Sequence, residues 1–398
     1  MASCWIAPGT PAMTSSAEMI GVVGGGQLAR MLVQAAAQRG VPIAVQTPSE
    51  RDPACEGATR QVLADPRDAE GTATLAQSCC GVTFENEWVD IPALQPLERQ
   101  GVRFSPGLQA LSPLVDKLSQ RQLLDDLAIP APPWCPLSDI SPAQPALPRG
   151  WRFPVMAKAA RGGYDGKGTQ VLRSIDDLAL LLRRVEAEDW LLESWVHYER
   201  ELALVVSRDR QGRVRTLPLV ETHQHQQVCD WVLAPAAVDQ AVDALAYNVA
   251  VSLLTKLDYV GVLALEFFYG PAGLQVNEIA PRTHNSGHFS IDACNSSQFD
   301  QQLCIVAGLP VPQPELISNG ALMVNLLGLQ NAAPLDERLS ALNKLPQTHL
   351  HWYGKSPETP GRKLGHVTVL LPGPDAAARA EQSRQALDRI RAIWPNPA

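Results

Sequence analysis

The sequence has no apolar run approaching the roughly 18 residues that would cross a bilayer as a helix. Its eight cysteines form no CxxC pair and no metal-ligand spacing, so the common zinc and dithiol motifs are excluded. Positive charge is in deficit: 33 Lys and Arg against 41 Asp and Glu leave a formal net charge of -8. Such a balance gives no electrostatic footprint for nucleic acid or for an anionic membrane. An anionic substrate must then be held by local positive groups. The GxxxxGK[ST] pattern of a Walker loop is also missing. The first 18 residues contain no Lys or Arg and lack the apolar core of about seven residues that a secretory signal needs. They read as a flexible tail (1–18), with the fold beginning at Met19. In a chain of this size the thiols are expected to be reduced and packed, as in a cytoplasmic protein.

With 398 residues, 45% of them hydrophobic and 19% charged, there is material for two or three domains. Residues 20–23 (IGVV) form a short apolar strand. Gly24-Gly25-Gly26-Gln27 and an amphipathic helix over 28–38 follow it. A strand, a glycine turn and a helix N-terminus together suit an anion. The alternative is a turn that merely packs the helix on its sheet. A nicotinamide cofactor is disfavoured, because the second strand (42–46) ends in Gln46 where a ribose-binding carboxylate is expected. Segments 62–65 and 81–84 read as further parallel strands. Glu85-Asn86-Glu87 then sits beyond a strand's carboxyl end, where open α/β sheets bind ligands. Phe104-Ser105-Pro106 closes a first domain over 19–112.

Residues 113–128 predict a helix, with Pro113 at its start and Lys117 in its first turn. A lysine there is either solvated or reaching for a phosphate. Seven prolines between 129 and 148 mark extended connecting structure before a mobile subdomain, about 130–200. A strand over 153–158 ends in Lys158 and runs into ARGGYDGKG. Four glycines lie within seven residues, 162–168. They permit a loop to fold over a polyphosphate, with backbone amides, Lys158, Arg161 and Lys167 as donors. A strand over 190–193 leads into Ser194-Trp195-Val196, which has backbone groups to offer a purine. Glu201 is then placed to accept from ribose hydroxyls; ordinary hinge structure is the competing reading. His223, Gln224 and His225 are read as surrounding a turn near Glu221.

The stretch GVLALEFFYGPAGLQVNEIAPRTHNSGH, residues 261–288, concentrates the chemistry. Two strand-like runs flank Gly270-Pro271-Ala272-Gly273, and each carries one carboxylate, Glu266 and Glu278. A buried carboxylate without a partner costs several kcal/mol or more, so the pair implies a cation or a proton. Two hard oxygen ligands beside a polar cluster suit Mg²⁺ shared with a phosphate substrate. Simple pairing about a four-residue turn sets Glu266 opposite Asn277 and points Glu278 to the other face. A shared metal therefore predicts an irregular hairpin with Glu266 opposite Glu278. A smaller C-terminal unit begins at 310. There Lys355, Arg362, Lys363 and His366 form a basic cluster suited to a phosphate.

Taken together, GVVGGGQLARM (21–31), DKLSQRQLLDDLAIPAP (116–132), AKAARGGYDGKG (157–168), NEIAPRTHNSGH (277–288), HLHWYGK (349–355) and PGRKLGH (360–366) resemble the ATP-grasp superfamily. Within it they resemble the N5-carboxyaminoimidazole ribonucleotide synthetases of purine biosynthesis. The resemblance implies an α/β (α+β overall) ATP-grasp fold. A Rossmann-like parallel-sheet domain over 19–112 would precede an ATP-grasp domain over 113–309 with its lid, and a small β-rich domain over 310–398. It implies a cytoplasmic, homodimeric ligase that uses ATP, Mg²⁺ and bicarbonate to carboxylate 5-aminoimidazole ribonucleotide, releasing ADP and phosphate.

By the same resemblance, Lys117 and Lys158 would bind ATP phosphates beneath a lid of Gly163, Tyr164, Asp165, Gly166, Lys167, Gly168 and Thr169. Glu193, Ser194, Trp195 and Val196 would hold adenine, and Glu201 the ribose. Glu266 and Glu278 would hold the metal beside Asn277. Gln27, Leu28, Glu85, Tyr164, Asp165, Arg282, His284, Asn285, Lys355 and Arg362 would surround the ribonucleotide and bicarbonate. Asp165, Arg282 and Lys355 are the expected catalytic residues, with Asp165 orienting or deprotonating the reacting amine. The family's Glu-Asn-x-His segment is here Glu221-Thr222-His223-Gln224, which places Gln224 at the histidine position. Another ATP-grasp ligase, such as a formate-dependent ribonucleotide transformylase, is the nearest alternative.

Overall fold

The computed structural model describes residues 18–163, 168–330, 333–355 and 357–397. The first sheet is built as the sequence implies. Its four parallel strands lie in the order Arg60–Leu63, Ile43–Thr47, Ile20–Val23, Gly81–Phe84. Ile20–Val23 is central and buried along its whole length, as a strand covered on both faces must be. The strand expected at 62–65 starts two residues earlier. Gln46 explains the early stop: its side-chain amide donates to the carbonyls of Asp65 and Asp68 and draws that chain into a loop.

Residues 113–128 do not make one helix. Ser112–Leu114 is a 3₁₀ turn, and the helix proper is Lys117–Asp126. Asp116 sets the boundary, because its carboxylate caps the amides of Leu118 and Ser119. The apolar side of this helix, with Leu123 and Leu124, enters the core beneath the strands Arg200–Arg208 and Gly261–Gly270. Lys117, Gln120 and Arg121, spaced i, i+3 and i+4, share another face. All three reach the strand Gly273–Ala280.

A small four-stranded sheet follows, in the order Trp134–Pro136, Trp190–Ser194, Val155–Ala159, Thr169–Leu172. It has its own core of Leu137, Val155, Ala157, Leu172, Leu178 and Leu192. The largest sheet has nine strands. Its main path runs Gly273–Ala280, Gly261–Gly270, Arg200–Arg208, Val220–His225, Val228–Ala234, Gly320–Leu327, Lys363–Leu371, Thr348–Trp352. The C-terminal strands thus continue the central sheet and do not build one of their own. His223, Gln224 and His225 lie on a strand, with the turn after them, where Gln226 and Gln227 take positive φ of 50° and 66°.

The helix Gln298–Ala307 joins the parts: Phe299, Leu303 and Val306 pack into the core around Ile20–Val23, together with Tyr353 from the C-terminal segment. Seven described cysteines are free thiols. Among the described residues no helix is long and apolar enough to cross a membrane.

Trp394 closes the C-terminal core. It is fully buried, its indole N–H donates to the Leu327 carbonyl at 2.7 Å, and the Arg338 guanidinium lies 3.9 Å over its ring. Trp394→Ala should cost about 3–5 kcal/mol in urea unfolding. A loss under about 1 kcal/mol would show that the C-terminal helix is not anchored there.

Candidate active site

The irregular hairpin is present. Tyr269 pairs with Leu274, Phe268 with Gln275 and Phe267 with Val276; then the register shifts and Glu266 pairs with Glu278. Asn277 is the extra residue. Because side chains alternate along a strand, this one insertion returns Glu278 to the face that carries Glu266. Above the pair stand two lysines. Lys117 Nζ lies 2.6 Å from Glu278 Oε1. Lys158 Nζ lies 3.1 Å from Asn277 Oδ1 and 2.7 Å from Glu193 Oε2.

The two carboxyls differ in electrostatic state. Burial and then the facing Glu278 raise Glu266 well above the usual carboxylate range. Burial pulls Glu278 the same way, but Lys117 outweighs it and holds Glu278 low. His284 Nε2 is 3.4 Å from Glu266 Oε1. Its Nδ1 lies 2.9 Å from the Ser286 hydroxyl and 3.3 Å from the Ser286 amide, which fix the ring beside the carboxylate. One carboxylate is therefore neutralised by lysine, while the other gains charge only at an electrostatic cost. That deficit of positive charge suits a divalent cation. Among the described residues no group of three or more His, Cys, Asp or Glu forms a protein-only metal cage. Two carboxylates completed by substrate oxygens are the usual arrangement for Mg²⁺.

Beneath the lysines, Arg121 is buried and fastens the floor. It bonds Glu193 Oε1 at 2.7 Å and the carbonyls of Val276 and Asn277 at 3.2 and 2.7 Å. The Glu193 carboxylate is thus spent between Arg121 and Lys158; in the segment that follows, Trp195 is exposed and Ser194 and Val196 are half-buried. Trp195 is 39% exposed. Glu201 accepts from the Tyr198 hydroxyl at 2.7 Å, and the nearby Gln224 side chain favours its ionised form. His223 goes elsewhere: it stacks on Trp231 and pairs with Asp230 at 3.4 Å. Gln224, at a register shift of its own, is the member of that trio directed at Glu201.

The base of the glycine loop is close-packed, since a Cβ on Gly168 would lie 3.2 Å from the Gly163 Cα. Thr169 Oγ1 donates to Gln227 at 3.0 Å, joining the small sheet to the large one. Tyr164, Asp165, Gly166 and Lys167 lie outside the described residues.

A second cluster lies at the first sheet. The glycine turn does hold an anion, and it is the chain's own Glu85. Its carboxylate accepts from the amides of Gly26, Leu28 and Ala29 at 2.6, 3.1 and 3.4 Å. A Cβ on Gly26 would sit 2.4 Å from Glu85 Oε1, so a larger residue there would displace the carboxylate. A dinucleotide pyrophosphate would have to take the same place, which removes the nicotinamide reading. Leu28 is itself buried. Gln27 accepts from Lys355 Nζ at 2.6 Å, so the C-terminal segment reaches this domain. Arg362 is exposed and donates to the Pro357 carbonyl at 3.3 Å. Arg282 is held by Glu87 at 2.7 Å. Asn285 is buried, its amide paired in both directions with Asn325 at 3.1 and 2.9 Å.

Arg121 and Asn325 escaped the sequence reading. Arg121 left one signal, its i+4 spacing from Lys117, and Asn325 acts on a partner 40 residues away. Glu87 is legible in the sequence at a ligand-binding strand end, but its partner Arg282, 195 residues away, is not foreseen there.

Over 387 residues, 96% of this chain and 97% of the relative, the sequence is 48% identical to an N5-carboxyaminoimidazole ribonucleotide synthase of Synechococcus elongatus. The chain belongs to the N5-carboxyaminoimidazole ribonucleotide synthase family. It is 37% identical over 385 residues to the Mycobacterium tuberculosis synthase, covering 95% of this chain and 89% of that one. Family profiles match in the expected order. A ribonucleotide synthetase preATP-grasp domain matches residues 17–113, an ATP-grasp domain 122–299, and a phosphoribosylaminoimidazole carboxylase C-terminal domain 321–380. Among solved synthases, one from Aspergillus clavatus complexed with ATP superposes with a TM-score of 0.85. It is 31% identical and covers 95% of this chain and 99% of that one. The Aspergillus clavatus enzyme with ADP and 5-aminoimidazole ribonucleotide gives 0.83 at 30% identity, with the same coverage. As a synthase of this family, the protein is an ATP-dependent ligase with the ATP-grasp fold.

A carboxyl whose pKa is raised in the folded protein favours its protonated form. That contribution to stability is present in mild acid and is lost as the pH rises through neutrality. Without divalent cations, the wild type should lose stability between pH about 5 and 8 relative to Glu266→Gln. Parallel unfolding curves for the two proteins would contradict this account of the pair.

Proposed function

We propose that the cleft above Glu266 and Glu278 carboxylates 5-aminoimidazole ribonucleotide on its exocyclic amine, using ATP and bicarbonate. The observation carrying the proposal is the facing carboxylate pair beneath Lys117 and Lys158, on a hairpin irregular by one residue. Bicarbonate is a poor electrophile. Transfer of the γ-phosphoryl group to it gives carboxyphosphate, with ADP leaving. The amine then attacks the activated carbon or the CO₂ it yields, and phosphate departs.

Lys117 and Lys158 bind and orient the phosphates, and positioning with charge neutralisation supplies most of such a step's catalysis. Ser194, Trp195 and Val196 offer the adenine a backbone edge. Glu201, held by Gln224, accepts from the ribose. Glu266 and Glu278 hold Mg²⁺, which when bound neutralises charge on the phosphates; His284 keeps Glu266 in place. Arg282, Lys355 and Arg362 supply positive charge for the ribonucleotide phosphate, with Gln27 and Glu85 beside it. Asp165 orients or deprotonates the amine. Carboxyphosphate hydrolyses readily, so the lid over Gly163 to Thr169 excludes water. The free thiols fit a cytoplasmic enzyme, and a homodimer is the assembly to test by light scattering.

Release of ADP and phosphate should require both bicarbonate and 5-aminoimidazole ribonucleotide; stimulation by formate would overturn the substrate assignment. Lys158→Met should raise KM for ATP or lower turnover by about tenfold or more, the scale of a lost charge-assisted hydrogen bond. Full turnover by Asp165→Asn would remove the role given to that residue.

A further inference from the structure

We infer that Tyr198 is a positioning residue for nucleotide recognition, fixing Glu201 in the orientation that receives the ribose hydroxyls. The inference rests on the reading of Glu201 as the ribose acceptor.

Tyr198 is 45% exposed, yet it is tied down on several sides. Its ring stacks on Phe268, with centroids 4.6 Å apart and planes 18° from parallel. Phe268 is the cross-strand partner of Glu201, so the stack sets the phenol beside that carboxylate. The hydroxyl donates to Glu201 Oε1 at 2.7 Å. The main chain is anchored too, since the Glu199 amide donates to the Tyr269 carbonyl at 2.9 Å. Gly270 permits this approach. A Cβ there would stand 3.0 Å from the Tyr198 Cα, 3.1 Å from the His197 carbonyl oxygen and 3.2 Å from the Glu199 nitrogen. Segment 197–199 therefore lies directly on the hairpin that carries Glu266 and Glu278.

A surface tyrosine that only shields apolar area needs none of these constraints. The carboxylate does need them. Burial makes Glu201 harder to ionise, and hydrogen bonds from Tyr198 and Gln224 oppose that. A carboxylate has about four acceptor positions. Tyr198 takes one of them, leaving room for a pair of neighbouring hydroxyls. A side chain already held in its binding rotamer also loses less freedom when the nucleotide arrives. Tyr198 stands outside the phosphate chemistry, so its contribution belongs to binding.

The test compares ATP with 2′,3′-dideoxyATP in steady-state assays of the full-length enzyme. Glu201→Gln should abolish the preference for ATP, and if it does not, the ribose reading fails and the inference with it. Tyr198→Phe keeps the stack and removes only the hydroxyl. It should raise KM for ATP about two- to tenfold, leave kcat near wild type, and leave KM for the dideoxy nucleotide unchanged. Gly270→Ala, which displaces segment 197–199 with the hydroxyl intact, should produce the same selective loss. If Glu201→Gln abolishes the preference for ATP but Tyr198→Phe weakens both nucleotides equally, or neither, Tyr198 does not position Glu201.

Discussion

The site depends on one inserted residue. Asn277 shifts the pairing of two antiparallel strands by a single position, and that shift decides which face Glu278 occupies. Without it Glu278 would point away from Glu266, and Lys117 would lose its partner. The insertion is held from behind. Arg121 takes the carbonyls of Val276 and Asn277, Gln120 takes the carbonyl of Ile279, and Lys117 takes the Glu278 carboxylate. One helical face thus clamps a local irregularity along four successive residues. A ladder with one unpaired residue needs such partners for its displaced carbonyls.

The clamp also organises charge. Arg121 and Lys158 share Glu193, which is almost wholly buried. Removing one partner of such a group strands the other charges in a medium that solvates them poorly. Burial pulls Lys158 below its ordinary range, and Glu193 opposes that. The ammonium group is held by the Glu193 carboxylate at 2.7 Å and the Asn277 side chain at 3.1 Å. Glu85 plays a comparable part at the first sheet, where its carboxyl accepts from the amides at a helix N-terminus beside Gln27, which in turn accepts from Lys355.

Much of this was legible in the sequence. The strands showed as apolar runs, the glycine loop as glycines interleaved with cations, and the facing pair Glu266 and Glu278 as two carboxylates on strands. Even the irregular hairpin followed from parity, because shared use of Glu266 and Glu278 demanded it. What stayed hidden had either a rival local signal or a distant cause. The helix start at Lys117 was misplaced because Pro113 mimics a first turn, whereas Asp116 supplies the cap. The destination of Gln224 turned on a register shift that no local pattern announces. Glu87 acts on Arg282 where the first sheet meets the largest one, and Asn325 acts on Asn285 from a distant strand of the largest sheet.

The continuity of the nine-stranded sheet bears on how this protein can be cut. Gly320–Leu327 pairs directly with Val228–Ala234, so ending the chain near residue 310 would not release an intact two-domain enzyme. It would bare the backbone of Val228–Ala234 along a strand whose Val232 and Ala234 are wholly buried. An unpaired apolar edge of that kind invites intermolecular pairing. The C-terminal segment is thus the sheet's guard against self-association as well as the carrier of Lys355.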